Sequence, residues 1–184
     1  MVDSGVIAIR DEIYAADALA IHLGDTAFKL GLALDTFFHN IDSPLTVRLI
    51  QREIVNRVFT AAGGQTSKLM ANYLYKTLAT PTTNQLEWAP TNQVMLQAES
   101  KLIAESVITT RTINPVRQAG SLLSSYVNDQ IDRTIDKHRT QNRRVRHLTA
   151  NACDWCKNQK SLYDNGAPWY RHANCNCYSV RAFL

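Results

Sequence analysis

All four cysteines of this 184-residue chain lie in one short segment near its C-terminus, with one histidine among them. Cys153 and Cys156 are two residues apart, and His172, Cys175 and Cys177 follow after a further fifteen residues. The resulting C-x2-C-x15-H-x2-C-x-C spacing is typical of structural zinc sites, in which four cysteines, or three cysteines and one histidine, surround the ion. Five candidates compete for four positions, and the spacing does not choose among them. We therefore predict a structural zinc ion held by four of these five residues.

Other chemistry for the same cysteines has less support from the residues around them. Asp154 and Asp164 lie nearby, but neither belongs to a signature of hydrolytic metal sites such as H-E-x-x-H. A redox role for Cys153 and Cys156 is expected within a βαβ unit, whereas the chain before these cysteines has a helical pattern. Disulfides between the two halves are the alternative if the protein ends in an oxidising compartment. Because no nucleophile–base pair or glycine-rich phosphate loop stands out, we predict no catalytic residue and no enzymatic activity.

The composition is that of an ordinary globular protein, with 45% hydrophobic and 20% charged residues. No segment approaches the roughly 18 uncharged apolar residues of a membrane helix, so we expect no membrane partner. The N-terminal segment lacks a basic leader followed by an apolar run, which predicts no secretory signal. A reducing cytosol is then the expected compartment, and clustered cysteines in a cytosolic protein bind metal more often than they pair.

The net charge of +4 is unevenly distributed along the chain. Cations are densest in "KHRTQNRRVRH", residues 137–147, which we call the basic stretch. Clustered cations neutralise phosphates, so the basic stretch is a candidate contact for nucleic acid or another acidic partner. The alternative is a solvated helix end, where cations complement the helix dipole. The candidate contact residues are Lys137, Arg139, Arg143, Arg144 and Arg146.

The first 140 residues are predicted to form helices in series. In "SPLTVRLIQREIVNRVFTAAGG", Ser43 is the predicted cap, Pro44 suits the first turn, and Gly63 and Gly64 end the helix. The forty residues at the N-terminus also suit helices, which we expect to be interrupted near Gly24.

Further apolar periodicities predict helices through residues 69–78, from residue 94 to about residue 109, and after Asn114. In the last of these Asn114 is the predicted cap and Pro115 lies in the first turn. One apolar stripe along this helix is predicted to face the core. Its members are Val116, Ala119, Leu123, Val127, Ile131 and Ile135.

The pattern changes after residue 141. "RRVRHLT" alternates with period two and predicts a strand, and turn residues, aromatic residues and cysteines follow it. We therefore predict a mainly α fold, with a helical body over residues 1–140. A small, loop-rich, zinc-stapled module over residues 141–184 is predicted to contain short β elements. Its aromatic side chains are expected to shield the metal, with stacking on bases as the alternative. They are Trp155, Tyr163, Trp169, Tyr170 and Tyr178.

The segments "SSYVNDQIDRTIDKHRTQNRRVRHLTANACDWCKNQK" and "GAPWYRHANCNC" resemble the C-terminal part of the minor capsid, or head morphogenesis, proteins of tailed bacteriophages. These are the MuF-like group and its relatives among actinophage minor capsid proteins. That family joins a long arginine-bearing helix to C-x2-C and then to H-x2-C-x-C. Here these elements are Cys153 and Cys156, followed by His172, Cys175 and Cys177. The resemblance covers roughly the last third of the chain.

The resemblance implies a virion component that acts near the portal vertex during head assembly. Its C-terminal segment is implied to be structural. The implied partners are the portal protein and the major capsid or scaffolding protein, and the basic stretch is the candidate contact with packaged DNA. The implied location is the virion capsid near the portal, and the host cytoplasm during assembly. The alternative function is a zinc-containing, nucleic-acid-binding regulatory protein that uses residues 137–147.

Overall fold

The computed structural model describes residues 4–78, 85–110, 115–138, 144–148, 152–159, 162–163 and 177–181. These ranges contain six helices and one small antiparallel sheet, so the predicted mainly α class with short β elements is confirmed. Among the described helices, not one combines the length and the hydropathy required to span a bilayer. The helices are α1 (Ser4–Asn40), α2 (Val47–Ala62), α3 (Gly64–Leu78), α4 (Gln93–Thr110), α5 (Pro115–His138) and α6 (Asp154–Lys157). The strands are β1 (Arg144–His147), β2 (Leu162–Tyr163) and β3 (Tyr178–Arg181).

Helix α1 runs without a break through Gly24, so the predicted interruption there is wrong. A glycine inside a helix costs roughly 1 kcal/mol relative to alanine. The burial of one long apolar stripe, packed chiefly against α5 and α3, outweighs that cost. The buried members of this stripe are Ala15, Ala16, Leu19, Leu23, Leu30 and Leu34.

Helix α2 begins at Val47, and the predicted cap at Ser43 with Pro44 in the first turn is wrong. The cap is Thr46, whose Oγ1 accepts a hydrogen bond from the Leu49 backbone N–H at 3.2 Å. Threonine satisfies an unpaired N–H of the first turn as serine would, so the sequence offered two competing start points.

The end of α2 is where the paired glycines predict it. The Gly63 N–H donates to the Phe59 carbonyl at 3.1 Å, and α2 ends at Ala62. Gly64 then takes a left-handed backbone conformation with φ of 54°, which glycine adopts without the steric cost of a Cβ. Helix α3 starts at this residue, so one glycine both ends the turn and begins the next helix.

Helices α4 and α5 lie where the apolar periodicity predicts them. The α5 stripe is buried at Ala119, Leu123, Val127, Ile131 and Ile135, while Asn114 and the side chain of Val116 lie outside the described residues. Helix α5 packs chiefly against α1, and the two backbones come close at Gly120. A Cβ at Gly120 would lie 3.1 Å from the Ala27 Cβ, so a glycine is favoured at this crossing.

The three strands form an antiparallel sheet in the order β2-β1-β3, and β1 confirms the strand predicted from "RRVRHLT". Val145 is paired with Val180, and His147 with Tyr178. Val145, Tyr178 and Val180 pack into the same apolar core as the helices. The sheet therefore shares the core of the helical body, although the sequence assigns it to the module over residues 141–184.

A buried ion pair also joins the sheet to the helices. The Glu12 side chain of α1 is fully buried, and the Arg144 Nη2 of β1 donates to Glu12 Oε1 at 3.1 Å. The Thr77 hydroxyl of α3 donates to the same oxygen at 3.0 Å. A buried carboxylate needs both a cation and hydrogen bonds to offset its loss of hydration, and these two residues supply them.

A second set of contacts fixes β3 on the helices. The Tyr73 hydroxyl of α3 and the Arg144 Nη2 each donate to the Ser179 carbonyl at 2.7 Å. The Tyr178 hydroxyl donates to Asp17 Oδ1 of α1 at 2.9 Å. Burial, followed by this hydrogen bond to a carboxylate, raises the pKa of Tyr178. Strand β3 is thus held by α1, α3 and β1 together.

Glu99 of α4 lies in a shallow groove between α4 and α5, beside Leu102 and Leu122. Burial, and then the charge of Asp129, raise the pKa of the Glu99 carboxyl. The folded state therefore disfavours the ionised form, and stability is lost as pH rises through the folded pKa. We expect Glu99→Gln to raise Tm at pH 7 and to have a smaller effect near pH 4.

Thermal melts at the two pH values check this expectation. Glu105→Gln on the same helix is the control, because Glu105 pairs with Lys101 at 3.6 Å near the surface and its loss should not raise Tm. An equal change in Tm for Glu99→Gln at both pH values would contradict the expected titration.

Candidate metal centre

The first cysteine pair lies in a tight turn around the one-turn helix α6. Cys153 is the N-cap residue, with extended backbone angles of φ −72° and ψ 164°. The Lys157 N–H donates to the Cys153 carbonyl at 3.1 Å and closes the turn. We call residues 153–157 the knuckle. Such a turn brings two cysteines spaced by two residues to the same side, which is what a shared tetrahedral ion requires.

The backbone of the knuckle favours a thiolate at Cys153. The pKa of the Cys153 thiol is lowered, chiefly by the Cys156 backbone N–H. Desolvation, the second-largest effect, opposes this, and the Cys156 thiol and the Trp155 N–H lower the pKa further. The thiolate is the form that binds metal, and the Cys153 side chain is exposed.

The second half of the cysteine segment meets the knuckle through Cys177. Cys156 and Cys177 are each 1% exposed and pack against each other, with Ala152 beside them, in a cluster separate from the main core. Cys177 directly precedes β3, and Cys153, Cys156 and Cys177 are all present as thiols. Cys156 therefore lies next to Cys153 within the knuckle and packs on Cys177. We call these three cysteines the thiol cluster.

The remaining predicted ligands, His172 and Cys175, lie outside the described residues. Within the ranges that the structure describes, no group of three or more His, Cys, Asp or Glu residues is arranged to hold a metal ion. The zinc site thus stays a prediction. The thiol cluster supplies donors that zinc prefers, and a tetrahedral site built on it needs one further ligand from the same segment.

Arg146 holds the knuckle against the sheet. Its side chain is 5% exposed, and its guanidinium donates to the Tyr163 hydroxyl of β2, at 2.9 Å from Nη2 and 3.2 Å from Nε. The guanidinium carbon lies 5.4 Å from the centre of the Tyr163 ring and 5.9 Å from that of Trp155 in α6. These are cation–π distances, so one arginine joins β1, β2 and α6.

The described cations of the basic stretch have partners within their own chain. Arg144 pairs with Glu12, as described above, and Arg146 is held by Tyr163. Lys137 is more exposed, but its Nζ lies 3.1 Å from Glu87 Oε2. Arg139 and Arg143 lie outside the described residues. The structure therefore gives Arg144 and Arg146 a packing role that the charge pattern alone did not indicate.

Glu12 is the residue of this region that the sequence reasoning missed. It lies three, four and seven residues before Ala15, Ala16 and Leu19, which are buried on the inner face of α1. That spacing puts Glu12 on the same face, and a carboxylate on a buried face needs a cation. The periodicity could have shown that Glu12 points inward, but not that Arg144 would be its partner.

Comparison of the chain with protein-family models, with curated proteins and with solved structures found no match. The knuckle, the thiol cluster and the contacts of Arg144 and Arg146 are therefore the observations that bear on function.

Proposed function

We propose that this protein is a structural minor capsid, or head morphogenesis, protein of a tailed bacteriophage, and that it acts at or near the portal vertex during head assembly. The cysteine segment supports this role, because its spacing resembles that of the family and Cys156 of the knuckle packs on Cys177, next to β3. In this role the protein is a building component of the virion and catalyses no reaction.

A structural zinc ion is part of the proposal. Four of Cys153, Cys156, His172, Cys175 and Cys177 would hold it, and its chemistry there is to cross-link the segment. Because Cys177 precedes β3, a metal held by Cys177 and the knuckle would tie α6 to that strand. Strand β3 is bonded in turn to α1 and α3 through Tyr178 and Ser179. The ion would thus fasten the C-terminal segment to the helical body.

Protein surfaces on the helical body would then meet the portal protein and the major capsid or scaffolding protein. The alternative, a nucleic-acid-binding regulatory protein, needs the basic stretch to be available to phosphates. Arg144 is bonded to Glu12, and Arg146 is buried against Tyr163. Two of the five candidate cations are therefore engaged within the chain and less available to phosphates, which favours the capsid role over the regulatory one.

We expect the protein to co-purify with virions of the phage that encodes it, and to form a complex with the portal protein of the same genome. Co-expression followed by size-exclusion chromatography measures the complex, and quantitative mass spectrometry of purified virions measures the copy number. A tail protein of the same genome is the control partner and should elute separately. Absence of the chain from virions, together with no complex with the portal protein, would refute the proposed function.

A further inference from the structure

The outer face of α1 carries a row of exposed apolar side chains, opposite the stripe that faces α5 and α3. Tyr14 is 58% exposed, Ile21 69%, Phe28 56% and Leu32 46%. Exposed large apolar residues are ordinary when scattered, but these four follow one line along a single helix. We call this row, with the exposed Ala18 and Asp25 between its members, the outer stripe.

The spacing of the outer stripe is that of a helix that packs against another helix. Its six residues, 14, 18, 21, 25, 28 and 32, are separated alternately by four and three positions. This alternation defines the a and d positions of a heptad repeat, which form the seam of a coiled coil. Five of the six are apolar, and the stripe covers about 27 Å of helix at 1.5 Å per residue.

Gly24 beside the outer stripe gives an independent indication of a close helix crossing. It follows Ile21 by three residues and precedes Phe28 by four, so it borders both on the helix surface. A Cβ built on Gly24 meets no described atom within 4 Å, whereas one on Gly120 would lie 3.1 Å from the Ala27 Cβ. The α1–α5 crossing accounts for Gly120. Packing against the part of the chain that the structure describes does not account for Gly24, which costs roughly 0.5–1 kcal/mol relative to alanine.

We propose that the outer stripe docks on the same stripe of a second copy of this chain, with the two α1 helices antiparallel. In antiparallel pairs a positions face d positions of the other helix, which here joins Tyr14 to Leu32, and the small Ala18 to Phe28. The two-fold axis then passes near the middle of the stripe, and Gly24 of one copy faces Gly24 of the other. Absence of a Cβ at this point lets the two backbones approach.

Charge favours the antiparallel arrangement over the parallel one. Asp25 occupies an a position of the stripe. A parallel pair would place the two Asp25 carboxylates against each other, and like charges in facing positions are destabilising. The antiparallel pair places Asp25 beside Ile21 of the second copy, where its carboxylate can still reach water.

The area of the stripe suits a reversible dimer. A large apolar side chain has an area of about 150–250 Å². The exposed fractions of the four residues therefore give roughly 400–500 Å² of exposed apolar area per copy. Two copies would bury roughly 800–1,000 Å² from these residues alone, and flanking residues bring the total near the lower limit of specific interfaces at about 1,200 Å². The dimer depends on α1 alone and is independent of the proposed capsid role.

Sedimentation equilibrium of the full chain tests this dimer. We expect a monomer–dimer equilibrium with Kd on the order of micromolar, and at least a tenfold rise in Kd for the double variant Ile21→Ser/Phe28→Ser. Helix content by circular dichroism should be unchanged, since both side chains are exposed. The control is Val94→Ser/Leu102→Ser on α4, whose residues are 81% and 66% exposed outside the stripe and should leave Kd unchanged.

A second pair of measurements tests the crossing point and the direction. Gly24→Gln should stabilise the monomeric helix yet raise Kd, because two glutamines would meet at the axis. A chain with Tyr14→Cys should form an intermolecular disulfide with a chain carrying Leu32→Cys, mapped by mass spectrometry, and Leu32→Cys should not link to itself. A monomer at concentrations up to about 100 μM, a dimer unaffected by Ile21→Ser/Phe28→Ser, or self-linkage of Leu32→Cys would each overturn the proposal.

Discussion

Replacement of Cys153 and Cys156 together by serine is expected to abolish zinc binding and to unfold the C-terminal segment. The proposed site loses two of its four ligands in this variant, and a structural zinc ion contributes on the order of 10 kcal/mol to folding. The wild-type protein should contain about one zinc per chain by elemental analysis, and the double variant none. Hydrogen exchange should then show protection lost from β3 and α6, because Cys177 and the knuckle would no longer be linked.

Asp154→Asn is the matched control for the cysteine variant. Asp154 lies in the same turn, its side chain is 94% exposed, and it pairs only loosely with Lys157 at 3.2 Å. This variant should retain zinc and stability. Separate His172→Asn, Cys175→Ser and Cys177→Ser variants would identify the spare candidate ligand, because the variant at the spare position keeps its metal. A wild-type protein that is fully folded without metal would rule out the structural zinc.

Glu12→Ala is expected to lower the free energy of unfolding by about 3–5 kcal/mol, the usual effect of removing one member of a buried ion pair. The variant leaves the Arg144 guanidinium, 12% exposed, without its carboxylate. It also removes the acceptor of the Thr77 hydroxyl. Urea denaturation followed by circular dichroism measures the change.

The neighbouring residue offers the control for Glu12. Asp11 pairs with Lys76 at 3.5 Å, but the Asp11 side chain is 49% exposed, and exposed pairs contribute about 0–1 kcal/mol. Asp11→Ala should therefore change stability little. The double variant Glu12→Leu/Arg144→Met should recover part of the loss, because it removes both buried charges at once. Equal effects of Glu12→Ala and Asp11→Ala would show that the buried pair has no special role.

Periodicity was sufficient to predict most helices but not their exact starts or the continuity of α1. The α5 stripe from Ala119 to Ile135 is buried as its spacing predicts, because the repeat of a helix is a local property. The unbroken path of α1 through Gly24 depends on packing against α5 and α3, which lie far along the chain. The start of α2 depended on a choice between two good caps, Ser43 and Thr46, which local propensity leaves nearly balanced.

The cysteine segment was predictable as a group, whereas its contacts were not. Spacing joined Cys153 to Cys156, but the packing of Cys156 on Cys177 depends on where the sheet places β3. The charge pattern could not reveal the role of Arg146. A count of charges is the same for an exposed arginine and for one held between Trp155 and Tyr163. The partner of Glu12 lies 132 residues away, beyond any local pattern.

The 132 residues between Glu12 and Arg144 affect the order of events during synthesis. Helix α1 leaves the ribosome well before its partners, because Arg144, which neutralises Glu12, and Tyr178, which bonds Asp17, are made 132 and 161 residues later. A nascent chain that stops before residue 144 has Thr77 to offer Glu12 but lacks the Arg144 guanidinium, so burial of this face of α1 is opposed until that arginine has been made. Closure of the core around α1 is thus delayed until β1 and β3 have been made, and chains that stop earlier would expose α1 to cellular proteases.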